Sequence, residues 1–397
     1  VLVNSQSILA GKRVLFVLCG FDLGGAERQA LHFARHLKNL GCDVRVWGHH
    51  HGFAGPELVI EHCEAAGIPW AVHKFRWPCR KKSFFPQLWG LLRGLYRERP
   101  DVILPYLPWP STGCNLVWRF SPAQVCIWGQ RDCGDLRGDA VQRFAYRRSS
   151  AVICNAAHEV DYLRHTVGET TAPVYVVHNG VEMAPARKAR AEWRAELGIE
   201  ENAAVATMVA NFRHQKDHPT LLRAWRKVLS DNPKAQPGPR LLLAGAHQES
   251  YGSVRQLARD LGLLHSASFP GQVKDVAGLL AASDIGILST THEGLPNAIL
   301  EYMTCGLPVV ATDIPGNREA LGNEPQQFCK PNDAASLAST LEPLLMDANL
   351  RQRLGARNRQ RALEEFSVGR MCKTMAGIIG DLLNGGSRGG GERGNNG

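Results

Sequence analysis

Two glutamates, Glu293 and Glu301, bracket the run Glu-Gly-Leu-Pro-Asn-Ala-Ile-Leu-Glu. An apolar stretch, Asp284 to Leu288, leads into it through a small-residue turn, Ser289 to His292. Pro296 suits the first position of a helix, where its missing N–H costs nothing. The amides of Asn297, Ala298 and Ile299 then point out of the helix start. With the helix dipole behind them, such amides form an anion site. Glu301 falls in the second turn, roughly 7 Å deeper than Pro296 at 1.5 Å per residue. Phosphate-binding amides between two carboxylates suit a diphosphate leaving group with hydroxyl-rich sugars beside it. A plain strand-to-helix turn with solvated glutamates is the competing reading of this stretch alone.

Two further loops carry residues of the same kind. Val209-Ala-Asn-Phe-Arg-His-Gln-Lys-Asp-His218 follows an apolar run and precedes a helical one. Arg213 and Lys216 could both reach one crevice, where fixed cations stabilise a departing diphosphate. A solvated basic loop is the alternative. Cys19-Gly-Phe-Asp-Leu-Gly-Gly25 follows the first apolar run. Gly24 and Gly25 remove side chains where a phosphate or sugar could approach the backbone. The loop is not Gly-x-Gly-x-x-Gly, which weakens a nicotinamide-binding reading. No Asp-x-Asp pair, of the kind that holds Mg²⁺ or Mn²⁺, occurs in the sequence, so no metal and no cofactor are expected. The run His49-His50-His51 has no Cys or carboxylate at ligand spacing beside it and is taken as a polar loop.

The elements that must position these loops alternate. Arg13 to Leu18, Asp43 to Trp47, Asp101 to Leu104, Val125 to Trp128 and Ala151 to Cys154 read as buried parallel strands. Between them the helical period appears from Ala26 to Gly41, Pro56 to Ala66 and Pro86 to Arg99. Past a polar stretch after His178-Asn-Gly180 a second series begins. It has strands at Ala204 to Ala210, Arg240 to Ala244, Asp284 to Leu288 and Pro308 to Ala311. Its helices are expected at Pro219 to Leu229, Ser253 to Leu261, Asp333 to Met346 and Leu350 to Glu364. The class is α/β: two tandem Rossmann-like, doubly wound domains facing across a cleft, 1–180 and 181–366. A last helix, 367–383, and a disordered Gly-rich tail, 384–397, complete the chain.

Composition excludes several classes. At 397 residues the chain can hold two full cores. No apolar run approaches the length of a transmembrane helix, and Val1 to Lys12 does not resemble a signal peptide. Eleven cysteines without a Cys-x-x-Cys pair suit a reducing cytosol. Net charge is +9, with 21 Lys/Arg against 15 Asp/Glu up to Glu182 and 25 against 22 beyond it. The first half is therefore the one suited to anionic partners. No RNA- or DNA-binding module is recognisable, so nucleic acid is not expected as a partner.

Five segments carry a family resemblance: Gly24-Gly-Ala-Glu-Arg28, His178-Asn-Gly-Val-Glu182, Gln215-Lys-Asp-His218, Glu293 to Glu301, and Cys305-Gly-Leu-Pro-Val-Val-Ala-Thr312. Over roughly residues 12 to 383 the chain resembles glycosyltransferase family 4, the retaining nucleotide-sugar enzymes of the glycosyltransferase-B fold. The resemblance implies a first domain for the acceptor and a second for the donor. It implies Glu293, Lys216 and Arg213 as catalytic residues. Donor binding falls to Gly24, Gly25, Asn211, Val273, Gly294, Leu295, Asn297, Ala298 and Glu301, with Glu301 at the ribose and Val273 in a base-contacting loop. Acceptor binding falls to Arg28, Tyr106 and Arg131. Two positions depart from the family pattern. Asn211 stands where an Arg is frequent, and Tyr106 near where a His is frequent; a tyrosine cannot share a proton near neutral pH as a histidine does.

The expected function is transfer from a nucleotide-diphosphate sugar, a UDP-sugar, to a saccharide or lipid-linked saccharide in cell-surface polysaccharide or glycolipid synthesis. A metal-independent hexosyltransferase is implied. Residues 74–89 mix cations with Trp77, Phe84 and Phe85, which suits an anionic membrane surface and a cytoplasmic, peripheral location. A basic loop with partly buried aromatics is the alternative there. Rival functions are a non-catalytic sugar-nucleotide-binding protein and a sugar-nucleotide epimerase of the same fold.

Overall fold

The computed structural model describes residues 8–49, 58–75, 81–131, 136–233 and 236–388. The chain forms two compact units, one running to Gly180 and resuming at Val368, the other Val181–Ser367.

The first unit is built on a parallel seven-stranded sheet. Its strands are β1 (Arg13–Val17), β2 (Asp43–Gly48), β3 (Trp70–Val72), β4 (Val102–Pro105), β5 (Val125–Gln130), β6 (Ala151–Cys154) and β7 (Val174–Val176), in the order β3-β2-β1-β4-β5-β6-β7. β4, β5 and β6 are buried along their whole length, as strands covered on both faces must be. The helix Gly25–Asn39 turns Ala30, Leu31, Phe33, Ala34 and Leu37 inward, and Gly41 closes it at φ 83°. The last helix, Val368–Arg388, belongs to this unit. Its Met371, Cys372, Met375 and Ile379 pack with Leu9, Phe16 and Phe33 in one core.

The second unit has a six-stranded parallel sheet of β8 (Val205–Val209), β9 (Arg240–Ala244), β10 (Ala267–Gly271), β11 (Ile285–Leu288), β12 (Val309–Thr312) and β13 (Phe328–Cys329), in the order β10-β9-β8-β11-β12-β13. In both sheets the strand order reverses once, between β1 and β4 and between β8 and β11. Loops leaving strands at such a point diverge and leave a crevice at the carboxyl ends.

Several expectations need correction. β3, β7, β10 and β13 were not expected; β3, β7 and β13 are short, and all four are only partly buried, so no continuous apolar run marks them. Pro86 lies inside the helix Lys81–Glu98 rather than opening it. As the sixth helical residue it lies past the four N–H groups that have no intrahelical acceptor, so it forfeits one backbone bond. The last helix continues past Asn384 to Arg388, while 389–397 lie outside the described residues. Of the histidine run only His49 is described, stacked 5.9 Å from His73. Residues 76–80 of the basic aromatic stretch also lie outside.

Candidate functional site

In the second unit the ladder between β8 and β11 ends at Gly286↔Thr207. Beyond it the Tyr302 hydroxyl wedges between the strands, accepting from Val209 N at 2.7 Å and donating to Ile287 O at 3.3 Å. Gly286 makes room for the ring, since a Cβ there would lie 2.5 Å from it. Tyr302 is fully buried and sits on the helix Asn297–Thr304, so it ties that helix to the opening of the sheet.

The loops leaving the two strands are joined to each other. Thr290 Oγ1 donates to Gln215 O at 3.0 Å and Thr291 N to the same oxygen at 2.9 Å. Lys216 Nζ forms an ion pair with Glu293 Oε1, and Thr290 Oγ1 lies 3.0 Å from the same oxygen, its one proton shared between Glu293 and Gln215 O. Both side chains keep some solvent access, 18% for Lys216 and 12% for Glu293. The far side is braced by Asn317, whose amide donates to Thr312 O at 2.8 Å, and by Thr312 Oγ1, which donates to Thr290 O at 2.8 Å. Gly316 lets the next helix press on the loop; a Cβ there would fall 1.9 Å from Gly294 O.

Pro296 is the N-cap of Asn297–Thr304 and not its first residue. The helix's first backbone bond runs from Leu300 N to Pro296 O at 3.3 Å. Asn297, Ala298 and Ile299 form the first turn, where backbone amides precede the helix's own ladder of bonds. Leu295 is buried and anchors the turn. Glu301 is only 7% exposed, so it is not the solvated surface glutamate of the competing reading.

Arg213 and Lys216 are not brought to one partner. Arg213 is exposed and donates through Nε to Gln248 Oε1 at 2.6 Å, on the loop after β9. Asn211 is also committed: its Oδ1 accepts from Ala246 N at 3.0 Å. Gly245 makes this possible, because a Cβ there would lie 2.0 Å from Ala210 O. His218 begins the helix His218–Asp231, fully buried and stacked 4.4 Å from Phe212, with neither ring nitrogen hydrogen-bonded. Burial pushes its imidazole down to about 4. The loop Gly271–Lys274 leads to Asp275, whose carboxylate accepts from Gly278 N, Arg187 N, Lys188 N and Trp193 Nε1 at 2.9–3.1 Å. Burial would raise the Asp275 pKa, but these donors outweigh it and hold it low. Val273 packs its side chain against the core around Trp193, leaving backbone for contact.

In the first unit, Gly24 is the N-cap of Gly25–Asn39, and the buried Glu27 folds back on it. A Cβ at Gly24 would lie 2.6 Å from Glu27 Oε2. A carboxylate thus already stands at the helix start expected to meet phosphate. Tyr106 follows β4 and is held by Tyr106 N donating to Val17 O at 2.9 Å. Leu107 next to it has φ 72°, a left-handed conformation rare for leucine. Arg131 follows β5 and lies over the Tyr106 ring, 4.4 Å from its centroid. Gly129 allows this approach, since a Cβ there would sit 2.4 Å from Pro105 O. Arg28 lies in the first turns of Gly25–Asn39, close enough to His62 to contribute to that histidine's lowered pKa after burial and Arg35. Gln29 exchanges two hydrogen bonds with Gly180, at 2.9 and 3.0 Å.

The family model described as Glycosyl transferases group 1 matches residues 189–361, and that described as Glycosyltransferase Family 4 matches 23–185. Between them they span both units. The chain belongs to the group 1 glycosyltransferases of the family 4 type. Among the family's curated members it is 26% identical over 243 residues to the N-acetyl-alpha-D-glucosaminyl L-malate synthase of Bacillus anthracis, covering 61% of this chain and 62% of that protein. It is 27% identical over 282 residues to the lipopolysaccharide core biosynthesis glycosyltransferase LpsE of Rhizobium meliloti, covering 68% and 73%. The Anabaena HepE protein, solved with UDP and glucose, superimposes with a TM-score of 0.79 at 18% identity, over 93% of this chain and 100% of that one. The shared fold is glycosyltransferase-B, with its two parallel-sheet α/β units.

Within this family member, the motif residues Glu293, Gly294, Leu295, Asn297, Ala298, Glu301 and Lys216 gather at the β8/β11 opening, and Tyr106 with Arg131 beyond β4 and β5. Sequence reasoning missed the residues that brace them: Thr290, Tyr302, Thr312, Asn317, Asp275, Gln29 and Asn179. Thr312 lies inside a quoted motif and Tyr302 directly follows another, but only pairing across the sheet reveals what their hydroxyls do.

Proposed function

We propose that the chain transfers a sugar, with retention of anomeric configuration, from a UDP-sugar to a saccharide or lipid-linked saccharide acceptor. The observation that carries this is the Lys216–Glu293 pair, set at the sheet's switch point beside the start of the helix Asn297–Thr304. Lys216 and the amides of Asn297 and Ala298 would take the diphosphate, Glu301 the ribose, and the Gly271–Lys274 loop the base. Glu293 would leave its lysine for hydroxyls of the donor sugar. As the glycosidic bond opens, the leaving phosphate would accept the proton of the attacking hydroxyl on the same face, with no metal required. HepE's complex with UDP supports the nucleotide, and the LpsE name supports a saccharide acceptor.

One surface feature supports a cytoplasmic, peripheral location. Along Lys81–Glu98, Phe85, Trp89 and Tyr96 are 76%, 68% and 57% exposed, with Arg93 and Arg97 beside them. Aromatic and basic residues on one exposed face suit an anionic lipid surface. Among the described residues no helix is long and apolar enough to cross a membrane.

The test is incubation with a panel of labelled UDP-sugars, in excess EDTA and with Mn²⁺, with and without lipid extract. Donor hydrolysis or α-configured transfer in EDTA is expected. Interconversion of donors without acceptor would identify an epimerase instead, and binding without turnover a non-catalytic protein.

A further inference from the structure

The carboxyl ends of β4, β5 and β6 bury polar side chains without satisfying them. Tyr106 is 3% exposed, Arg131 8% and Glu159 0%. The Arg131 guanidinium donates to Asn179 Oδ1 at 2.9 Å and faces the Met375 sulfur at 4.0 Å, both neutral. Its Nε has no acceptor, and the Tyr106 hydroxyl and Glu159 Oε1 have no hydrogen-bond partner. Glu159 feels the Arg131 charge, yet it makes no salt bridge with it among the described residues. Its Oε2 is taken up by Asn155 N at 2.8 Å and Ala156 N at 3.3 Å.

A guanidinium withdrawn from water with no carboxylate paired to it among the described residues is costly, and an anionic ligand would supply the missing charge. Holding Asn179 does not require the charge, because a neutral amide donor could make the same bond. We propose that Arg131, with the Tyr106 hydroxyl, binds an anionic group of the acceptor, a carboxylate or a phosphate. This rests on the first unit being the acceptor-binding one. A guanidinium edge offers paired donors that match either group, and a phenol is a third donor. Burial pushes the Tyr106 hydroxyl up to about 12, against the pull of Arg131, so it stays protonated and able to donate.

The test uses the full chain with its donor site filled by UDP, titrated with inorganic phosphate or with succinate against chloride at equal ionic strength. One of the two should bind more tightly than chloride. Arg131→Gln should weaken that binding about 10- to 100-fold, as loss of hydrogen bonds to a charged group does. Tyr106→Phe should weaken it less, and neither variant should change UDP affinity. Without added anion, Arg131→Gln should melt no lower than wild type. The proposal is overturned if both anions behave as chloride, if Arg131→Gln binds them normally, or if binding disappears once UDP is present. It is also overturned if Arg131→Gln melts several degrees lower and Arg131→Lys restores the loss, which would mark a structural residue. Intact saccharide transfer by a variant that no longer binds anions sinks the acceptor role but not the glycosyltransferase function. Failure of wild type to bind UDP counts against that function and is read apart from the anion titration.

Discussion

At the β8/β11 opening of the second unit, Lys216 and Glu293 neutralise one another, and Thr290 stands beside the glutamate. At the ends of β4 to β6 in the first unit, Arg131, Tyr106 and Glu159 are more deeply buried and keep unpaired atoms. The first arrangement is stable as it stands, and a ligand must exchange one partner for another. The second stores cost that a ligand can relieve. A site of paired charges should lose function when one member is removed; a site of unpaired charges should gain stability when one is removed.

The largest effect is expected at the paired site. Lys216→Ala should lower turnover about 10²–10³-fold, as loss of one preorganised charge stabiliser does. Because the two residues contact each other, Lys216→Ala/Glu293→Gln should be no slower than the slower single variant. Fully additive losses in steady-state rates would show that the pair does not act as a unit.

The contrast extends to pH. Burial raises Glu159 of the first unit to about 7 despite its two backbone donors, whereas burial lowers His218 of the second to about 4. Glu159 stays protonated in the folded state while the unfolded chain ionises. Its contribution to stability is thus fully present below about pH 4.5 and lost as pH rises through about 7. His218 works with the opposite sign: stability present above about pH 6.5 is lost as pH falls through about 4. Glu159→Gln should therefore stabilise the protein at pH 8, on the order of 3 kcal/mol at most. His218→Phe should flatten the acid limb at a similar scale, since the ring already stacks on Phe212 without hydrogen bonds. Denaturant melts at pH 4, 6 and 8 check both, and equal slopes in wild type and variants would break the contrast.

Within the paired site the two glutamates should separate. Glu301→Gln should weaken UDP binding by about 1.5–3 kcal/mol, the range for a hydrogen bond to a charged group. Glu293→Gln should bind UDP nearly normally and turn over slowly. Calorimetric titration of both with UDP decides this, and equal losses of affinity would mean the roles are misassigned. The smallest effect belongs to Asn211. Its side chain holds Ala246, so Asn211→Ala should cost about 1 kcal/mol of stability, measured by denaturant melts. Unchanged stability with lost turnover would instead return Asn211 to the donor.

The sequence by itself determined the two sheets, because a strand buried on both faces must be a continuous apolar run, as β1, β8 and β9 are. It also determined where the Glu293–Glu301 motif lies, because strand, turn and helix start are local in sequence. Short strands such as β3 and β13 left no such run and were illegible. Tertiary structure decided the partners. Lys216 and Glu293 meet only because the order reverses between β8 and β11, and that order is set by which strands pair. Arg213 turned to Gln248 and Asn211 to Ala246 for the same reason: both targets sit on the neighbouring strand's loop, far off in sequence. Arg131 shows the limit most clearly. Its identity announces a charge, but that the charge lies buried against Tyr106, with no carboxylate paired to it among the described residues, is a property of packing, where burial and long-range neighbours fix the energy.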